Sequence, residues 1–62
     1  MEYTNSQIRE AIAERIHSQR DREILERRFI DGVTFERLGD EFGLSSRQIQ
    51  TIVKKSERIL FK

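Results

Sequence analysis

The chain has no cysteine and no proline, and it has a single histidine. Without cysteine no disulfide can form, and nothing in the composition points to an oxidising compartment. One histidine without a cysteine supplies neither a zinc site nor a Cys/His catalytic pair. The absence of proline and the high content of charged residues, 37% of the chain, favour helices over strands.

Long apolar runs and glycine-rich loops are also missing. No apolar run approaches the roughly 18 residues that span a membrane, and Met1–Tyr3 does not begin the basic-then-apolar pattern of a secretory signal. We therefore expect a cytoplasmic protein with no membrane partner. The three glycines are predicted to end helices or to lie at a helix crossing, so they do not form a phosphate-binding loop. The sequence predicts no catalytic residue, no metal and no cofactor.

Four helices are predicted to account for nearly all of the 62 residues. Each has residues suited to cap its start, followed by apolar residues at helical spacing. The cap candidates are Thr4-Asn5-Ser6 for the first helix and Ser18, Thr34 and Ser45 for the others. The predicted helices begin near Thr4, Ser18, Thr34 and Ser45 and end near His17, Asp31, Gly43 and Phe61. We expect a single compact all-α domain over residues 1–62.

The segment from Phe35 to Lys54 is the most informative part of the chain. A glycine inside a helix costs about 1 kcal/mol relative to alanine, so Gly39 indicates that a second backbone passes close to this helix. Gly43 tolerates the positive φ that a tight turn between two helices requires. Apolar residues that would fill the wedge between the two helices recur on both sides of the turn: Leu38, Phe42, Leu44, Ile49 and Ile52. The pattern predicts a helix-turn-helix unit over about residues 34–61, whose second helix enters the major groove of DNA.

Charge is divided unevenly along the chain. Residues 1–43 carry seven Arg or Lys against ten Asp or Glu, whereas residues 44–62 carry five against one. At about 100° per residue, four apolar residues of the fourth helix share one side with a serine: Ile49, Ile52, Val53, Leu60 and Ser56. The opposite side carries Arg47, Thr51, Lys54 and Arg58, flanked by Gln50 and Lys55. A basic helix on an acidic body is expected of a DNA-binding domain. The alternative is a solvent-exposed helix that happens to be basic.

The second to fourth helices contain a series of characteristic motifs: Asp21–Leu25, Arg28-Phe29, Asp31–Glu36, Leu38-Gly39, Phe42–Ser45 and Ile49 to Ile52. Over about two-thirds of the chain, this series resembles the fourth conserved region of bacterial sigma factors. In that family the region is a compact helical domain that recognises the promoter element upstream of the transcription start and docks on RNA polymerase. A similar pattern occurs in output domains of response regulators and in small phage or mobile-element regulators.

The sequence departs from the sigma pattern in two respects. Ser18-Gln19 stands where the family usually has a proline between the first and second helices, and no second region that would melt a promoter accompanies the motif. The resemblance therefore implies a stand-alone sigma-like DNA-binding module, a small transcriptional regulator and not an initiator.

The resemblance also implies which residues face base edges: Ser46, Arg47, Gln50 and Thr51. Arg47 is suited to the O6 and N7 atoms of guanine and Gln50 to the N6 and N7 atoms of adenine, each contact giving about 1–3 kcal/mol of discrimination. Gln48 is predicted either to reach a base or phosphate or to be occupied by a capping box with Ser45. The predicted phosphate contacts are Lys54, Lys55, Thr34, Ser45, Arg28 and Arg37, of which Thr34 and Ser45 are also helix caps.

A domain that makes about three to five phosphate contacts binds DNA weakly and with strong salt dependence. We therefore expect a second copy of the chain, or a partner such as RNA polymerase, to hold it on double-stranded DNA. The alternative function is a protein-interaction module that binds RNA polymerase or an anti-sigma-type partner without reading DNA. Phe61 falls outside the apolar side of the last helix and Ile59 lies at its margin, so they either pack at its end or contact another chain.

Overall fold

The computed structural model describes residues 3–61 and contains four helices. These are α1 (Asn5–Arg15), α2 (Gln19–Phe29), α3 (Phe35–Phe42) and α4 (Ser46–Leu60). No strand occurs within the described range, so the all-α prediction is confirmed. None of these helices has the length and the apolar content needed to cross a membrane. Met1, Glu2 and Lys62, which enter the charge count and the pattern at the start of the chain, lie outside the described residues.

Ser18, Thr34 and Ser45 cap their helices as predicted, and of the three candidates at the start of α1 the cap is Thr4. The hydroxyl oxygens of Thr4, Ser18, Thr34 and Ser45 each accept a hydrogen bond from the backbone N–H three residues later. Each bond satisfies one of the N–H groups that a helix start leaves without a partner inside the helix. In α1 the bond is reciprocal, because the Thr4 N–H donates to Gln7 Oε1 at 2.9 Å.

Apolar side chains from all four helices meet in one core. The fully or almost fully buried members are Ile12, Ile16, Ile24, Leu25, Leu38, Ile49, Val53 and Leu60. On α4 these residues and the buried Ser56 lie on the predicted apolar side. Removing a large aliphatic side chain from such a core typically costs about 2–5 kcal/mol, so the burial of this side fixes which edge of α4 remains outside.

The end of α4 is covered by aromatic side chains. The Phe61 ring lies edge-on to Phe29, with ring centroids 5.6 Å apart, and contacts Tyr3 at a centroid distance of 4.9 Å. Phe61 is half-buried by these contacts, whereas Ile59 is exposed. Phe61 therefore packs at the end of the last helix within the described chain, which is one of the two alternatives that the sequence left open.

Two arginines satisfy carbonyl groups at helix ends. Arg22 Nη2 donates to Ala13 O at 3.0 Å and Arg22 Nε donates to Ile16 O. Arg15 Nη1 donates to Ile59 O at 3.0 Å, at the end of α4. The sequence predicts that α1 continues to His17, but it ends at Arg15 and Ile16 is extended. Arg22 stabilises this earlier end because a cation suits the terminal carbonyls of a helix.

Candidate nucleic-acid interface

The turn between α3 and α4 is built around two glycines. Gly43 adopts the left-handed conformation, with φ 69° and ψ 31°, and its N–H donates to Gly39 O. The Leu44 N–H donates to the same oxygen at 2.8 Å. Gly39 is buried, and a Cβ atom added to it would collide with Leu44 O. Gly39 therefore permits the close approach of α3 to the start of α4, and Gly43 permits the turn between them, as a helix-turn-helix requires.

A capping box holds the start of α4. The Gln48 N–H donates to Ser45 Oγ at 3.1 Å, and the Ser45 N–H donates to Gln48 Oε1 at 2.9 Å. The side-chain NH2 of Gln48 has no hydrogen-bond acceptor within residues 3–61. Gln48 is thus occupied through its oxygen only, and its NH2 group is left to reach a base or phosphate. The backbone N–H groups of Ser46 and Arg47 are the free ones at this helix start, since that of Ser45 is used.

The side of α4 that faces away from the core carries the predicted DNA contacts. We call Arg47, Gln50, Thr51, Lys54, Lys55 and Arg58 the outward edge of α4. All are exposed except Gln50, which is half-buried, as is the neighbouring Ser46. The Thr51 hydroxyl donates to the Arg47 carbonyl oxygen at 3.1 Å, which fixes the orientation of this side chain. The helix therefore presents basic, amide and hydroxyl-bearing side chains along one line.

The four cations of the outward edge have no ion-pair partner among the described carboxylates. Several arginines of α2 and α3 are paired instead. Arg20 Nη2 lies 3.2 Å from Asp21 Oδ1, and Arg37 Nε lies 3.4 Å from Glu41 Oε2. Arg27 forms ion pairs with both Glu41 and Asp31. Unpaired cations attract an external anion without first breaking an internal contact.

The pairing of Glu41 has an electrostatic consequence. Arg27 Nε donates to Glu41 Oε1 at 3.1 Å, and Arg27 Nη2 donates to Glu41 Oε2. This two-point hydrogen bond from Arg27 lowers the pKa of Glu41 below its usual value, and Arg37 acts in the same direction. The hydrogen bonds to Glu41 and the negative charge of Glu41 raise the pKa of Arg27. The pair links α2 to α3 and does not belong to the outward edge of α4.

The remaining predicted phosphate contacts form a second group around the start of α3. Arg28 Nη1 donates to Val33 O at 3.0 Å, and the Arg28 guanidinium lies 4.3 Å from the centre of the Phe35 ring. Thr34 Oγ1 accepts from the Arg37 N–H, while the Arg37 side chain is 72% exposed. Arg28 thus stabilises the loop between α2 and α3, whereas Arg37 keeps most of its surface available.

A shallow recess of about 280 Å³ borders the outward edge of α4. Its walls are formed by Arg20, Leu44, Gln48, Thr51 and Ile52. Nothing in the sequence singles out Arg20 as a neighbour of this helix, because the two are far apart along the chain and only the packing of α2 brings them together. No cluster of His, Asp or Glu suited to a metal ion occurs within residues 3–61.

Comparison with known proteins agrees with this geometry. The family model described as Sigma-70, region 4 matches residues 18–60, which contain the whole of α2, α3 and α4. The match covers well over half of the chain and includes both glycines of the turn. No match was found among curated proteins or among solved structures.

Proposed function

Since the chain belongs to the sigma-70 region 4 family, we propose that it binds double-stranded DNA sequence-specifically and acts as a small transcriptional regulator. The family consists of DNA-binding helix-turn-helix domains and not of enzymes. We propose further that α4 enters the major groove. The observation that supports this is the row of unpaired cations on the outward edge of α4, whereas Arg20, Arg27 and Arg37 of α2 and α3 are paired with carboxylates.

In this proposal Arg47 and Gln50 read bases. Arg47 is exposed and makes no side-chain contact that the fold requires within the described residues, so its planar guanidinium is free to bond guanine O6 and N7. Gln50 lies almost one helical turn farther along the same edge and is suited to adenine N6 and N7. Ser46 and Thr51 flank this pair and complete the set of predicted base contacts.

Phosphates are bound at both ends of this edge. The free N–H groups of Ser46 and Arg47 lie at the start of α4, where the helix dipole favours an anion. Lys54 and Lys55 lie farther along and provide point charges for the opposite side of the groove. Thr34 and Arg37, at the start of α3, are further phosphate contacts in the proposal. Arg28 is a weaker candidate, because its Nη1 already donates to Val33 O.

So few contacts make a single copy a weak binder, because affinity for DNA scales with the number of phosphates neutralised and falls steeply with salt. We therefore propose that a second copy on an adjacent half-site, or RNA polymerase, holds the domain on its site. Ile59 is the apolar residue of α4 left exposed for a second copy, since Phe61 is occupied by Phe29 and Tyr3.

Selection of preferred sequences from random duplexes, followed by titration of the selected duplex at two salt concentrations, tests the proposal. We expect the double variant Arg47→Ala, Gln50→Ala to lose at least tenfold in affinity for that duplex, since each contact is worth about 1–3 kcal/mol. Its circular dichroism spectrum should be unchanged, because both side chains lie outside the core. Arg9→Ala is the matched control: Arg9 is exposed on α1 and makes no described ion pair, so its removal changes the charge without changing affinity.

The alternative function, a protein-interaction module that docks on RNA polymerase or an anti-sigma-type partner, has one observation in its favour. A cleft of about 320 Å³ between α1 and the end of α4 is bordered by Tyr3, Glu10, Glu14 and Phe61. If no sequence is enriched by selection and the double variant binds duplexes as the unaltered chain does, while purified polymerase subunits are still captured, this alternative replaces sequence-specific DNA binding.

A further inference from the structure

The recess beside α4 borders the first turns of this helix, since Leu44, Gln48 and Thr51 are among the residues that line it. Leu44 and Ile52 form its apolar part, and both are half-buried, so each still exposes some apolar surface. Thr51 stands at its border and belongs at the same time to the outward edge of α4. The recess is therefore continuous with the surface that is proposed to read bases.

The hydrogen bond of Thr51 decides what this side chain offers to DNA. Its hydroxyl donates to the Arg47 carbonyl oxygen at 3.1 Å, so the hydroxyl proton is used inside the helix. The hydroxyl oxygen can still accept a hydrogen bond, and the apolar group of the side chain is its γ-methyl. Thr51 lines the recess together with Leu44 and Ile52, and this methyl is the apolar group that Thr51 contributes there.

In the major groove the 5-methyl group of thymine is the apolar group that projects from the base edge; cytosine has only a C5–H at this position, and the groups that distinguish the other bases are hydrogen-bond donors or acceptors. An N–H donor placed against Leu44 and Ile52 would lose water without gaining a full set of partners, which is unfavourable. We propose that Thr51 and this recess recognise the 5-methyl group of a thymine, and that Thr51 is therefore a specificity-determining residue. The inference rests on the proposed function and names the base chemistry that α4 selects.

Replacing thymine by uracil, one position at a time, in the selected duplex tests the inference, because this removes the methyl group and keeps every hydrogen-bonding atom. One position should show a loss of about fourfold in affinity, the effect expected for one buried methyl group. Thr51→Val, which keeps the methyl and removes the hydroxyl, should retain this loss. Thr51→Ser, which keeps the hydroxyl and removes the methyl, should bind the thymine and uracil duplexes equally.

Equal affinity of the unaltered chain for thymine and uracil at every position would overturn the inference, and so would a Thr51→Ser variant that still distinguishes the two bases. A selected site that contains no thymine would overturn it as well. All of these outcomes leave sequence-specific binding itself intact. The proposed function fails separately, when no duplex is enriched over random sequence. Circular dichroism of both variants checks the helix, which an exposed residue should not perturb.

Discussion

The carbonyl oxygen of Leu44 occupies the space that a side chain on Gly39 would need. Gly39 O in turn accepts hydrogen bonds from the N–H groups of Gly43 and Leu44. The same residue therefore holds both the end of α3 and the turn that leads to α4. A glycine inside a helix is unfavourable by itself. Here its small size lets the backbone of Leu44 lie against α3, so this residue helps to position the turn from which α4 starts.

Gly39→Ala should therefore destabilise the fold. In an unconstrained helix the change gains up to about 1 kcal/mol, but overfilling a packed contact costs about 1–3 kcal/mol. Because the obstacle is backbone, we expect a net loss of about 1–2 kcal/mol in urea denaturation, together with weaker DNA binding. Gly32→Ala is the comparison: Gly32 has φ 71° and open space around it, so it should lose stability from backbone strain while the folded protein binds DNA normally. A gain in stability for Gly39→Ala would contradict the close approach.

The phosphate role of Lys54 and Lys55 predicts a change in salt dependence. If each neutralises one phosphate, replacing both by alanine should reduce the slope of log K against log salt by about 0.9 per contact, or about 1.8 in total. The preferred sequence should stay the same, since phosphate contacts carry no base information. Fluorescence anisotropy titrations at four or more salt concentrations measure the slope. Arg9→Ala should leave it unchanged, and an unaltered slope for the lysine double variant would show that these residues only solvate the helix.

Arg15 should stabilise the end of α4 although it belongs to α1. Its Nη1 donates to Ile59 O at 3.0 Å and approaches Leu60 O at 3.4 Å. Arg15→Ala should lower the free energy of unfolding by about 0.5–1 kcal/mol, the lower part of the usual range for hydrogen bonds because the site is exposed. Amide hydrogen exchange should quicken in the last turn of α4 and not at its start. Protection that is the same in Arg15→Ala and in the control Arg9→Ala would exclude this role.

The contact between Arg27 and Glu41 predicts that the stability of the fold depends on pH. Hydrogen bonding by Arg27 lowers its pKa in the folded chain relative to the unfolded chain. Its contribution to the free energy of unfolding is therefore fully present above the unfolded value, about 4.3, and is lost as the pH falls through the folded value. The difference in stability between the unaltered chain and Glu41→Gln should be present at pH 6 and shrink below about pH 4.

The control for this pH series is Glu26→Gln, because Glu26 is exposed on α2 and has no described ion-pair partner. Its difference from the unaltered chain should be small at every pH. Thermal denaturation between pH 3 and pH 7 measures both series. If the Glu41→Gln difference were constant over this range, the contact between Arg27 and Glu41 would not stabilise the fold.

Features that depend on neighbours within about one helical turn were predictable from the sequence. Thr4, Ser18, Thr34 and Ser45 cap the four helices because a hydroxyl and an N–H three residues later are close in any chain that starts a helix there. The buried side of α4 followed in the same way from the helical period. The end of α1 was predicted too late, because it depends on Arg22, which reaches back from the next helix.

The candidate site likewise has features that one helix determines by itself and features that depend on contacts between helices. That Arg47, Gln50, Thr51 and Lys54 share an edge is a property of one helix, and any helix with this sequence would have it. Which arginines pair with carboxylates, and that Arg20 and Leu44 border a recess beside Thr51, depends on contacts between helices. Such contacts join residues far apart along the chain, where no periodic pattern links them.

By itself, therefore, the order of residues determined where helices start, which of their faces are apolar and where the chain must turn, since these are set by short-range sterics and hydrogen bonds. Only the packed structure decided which charged side chains stay unpaired and which apolar surface stays exposed. Both depend on ion pairs and packing contacts between residues that are far apart along the chain.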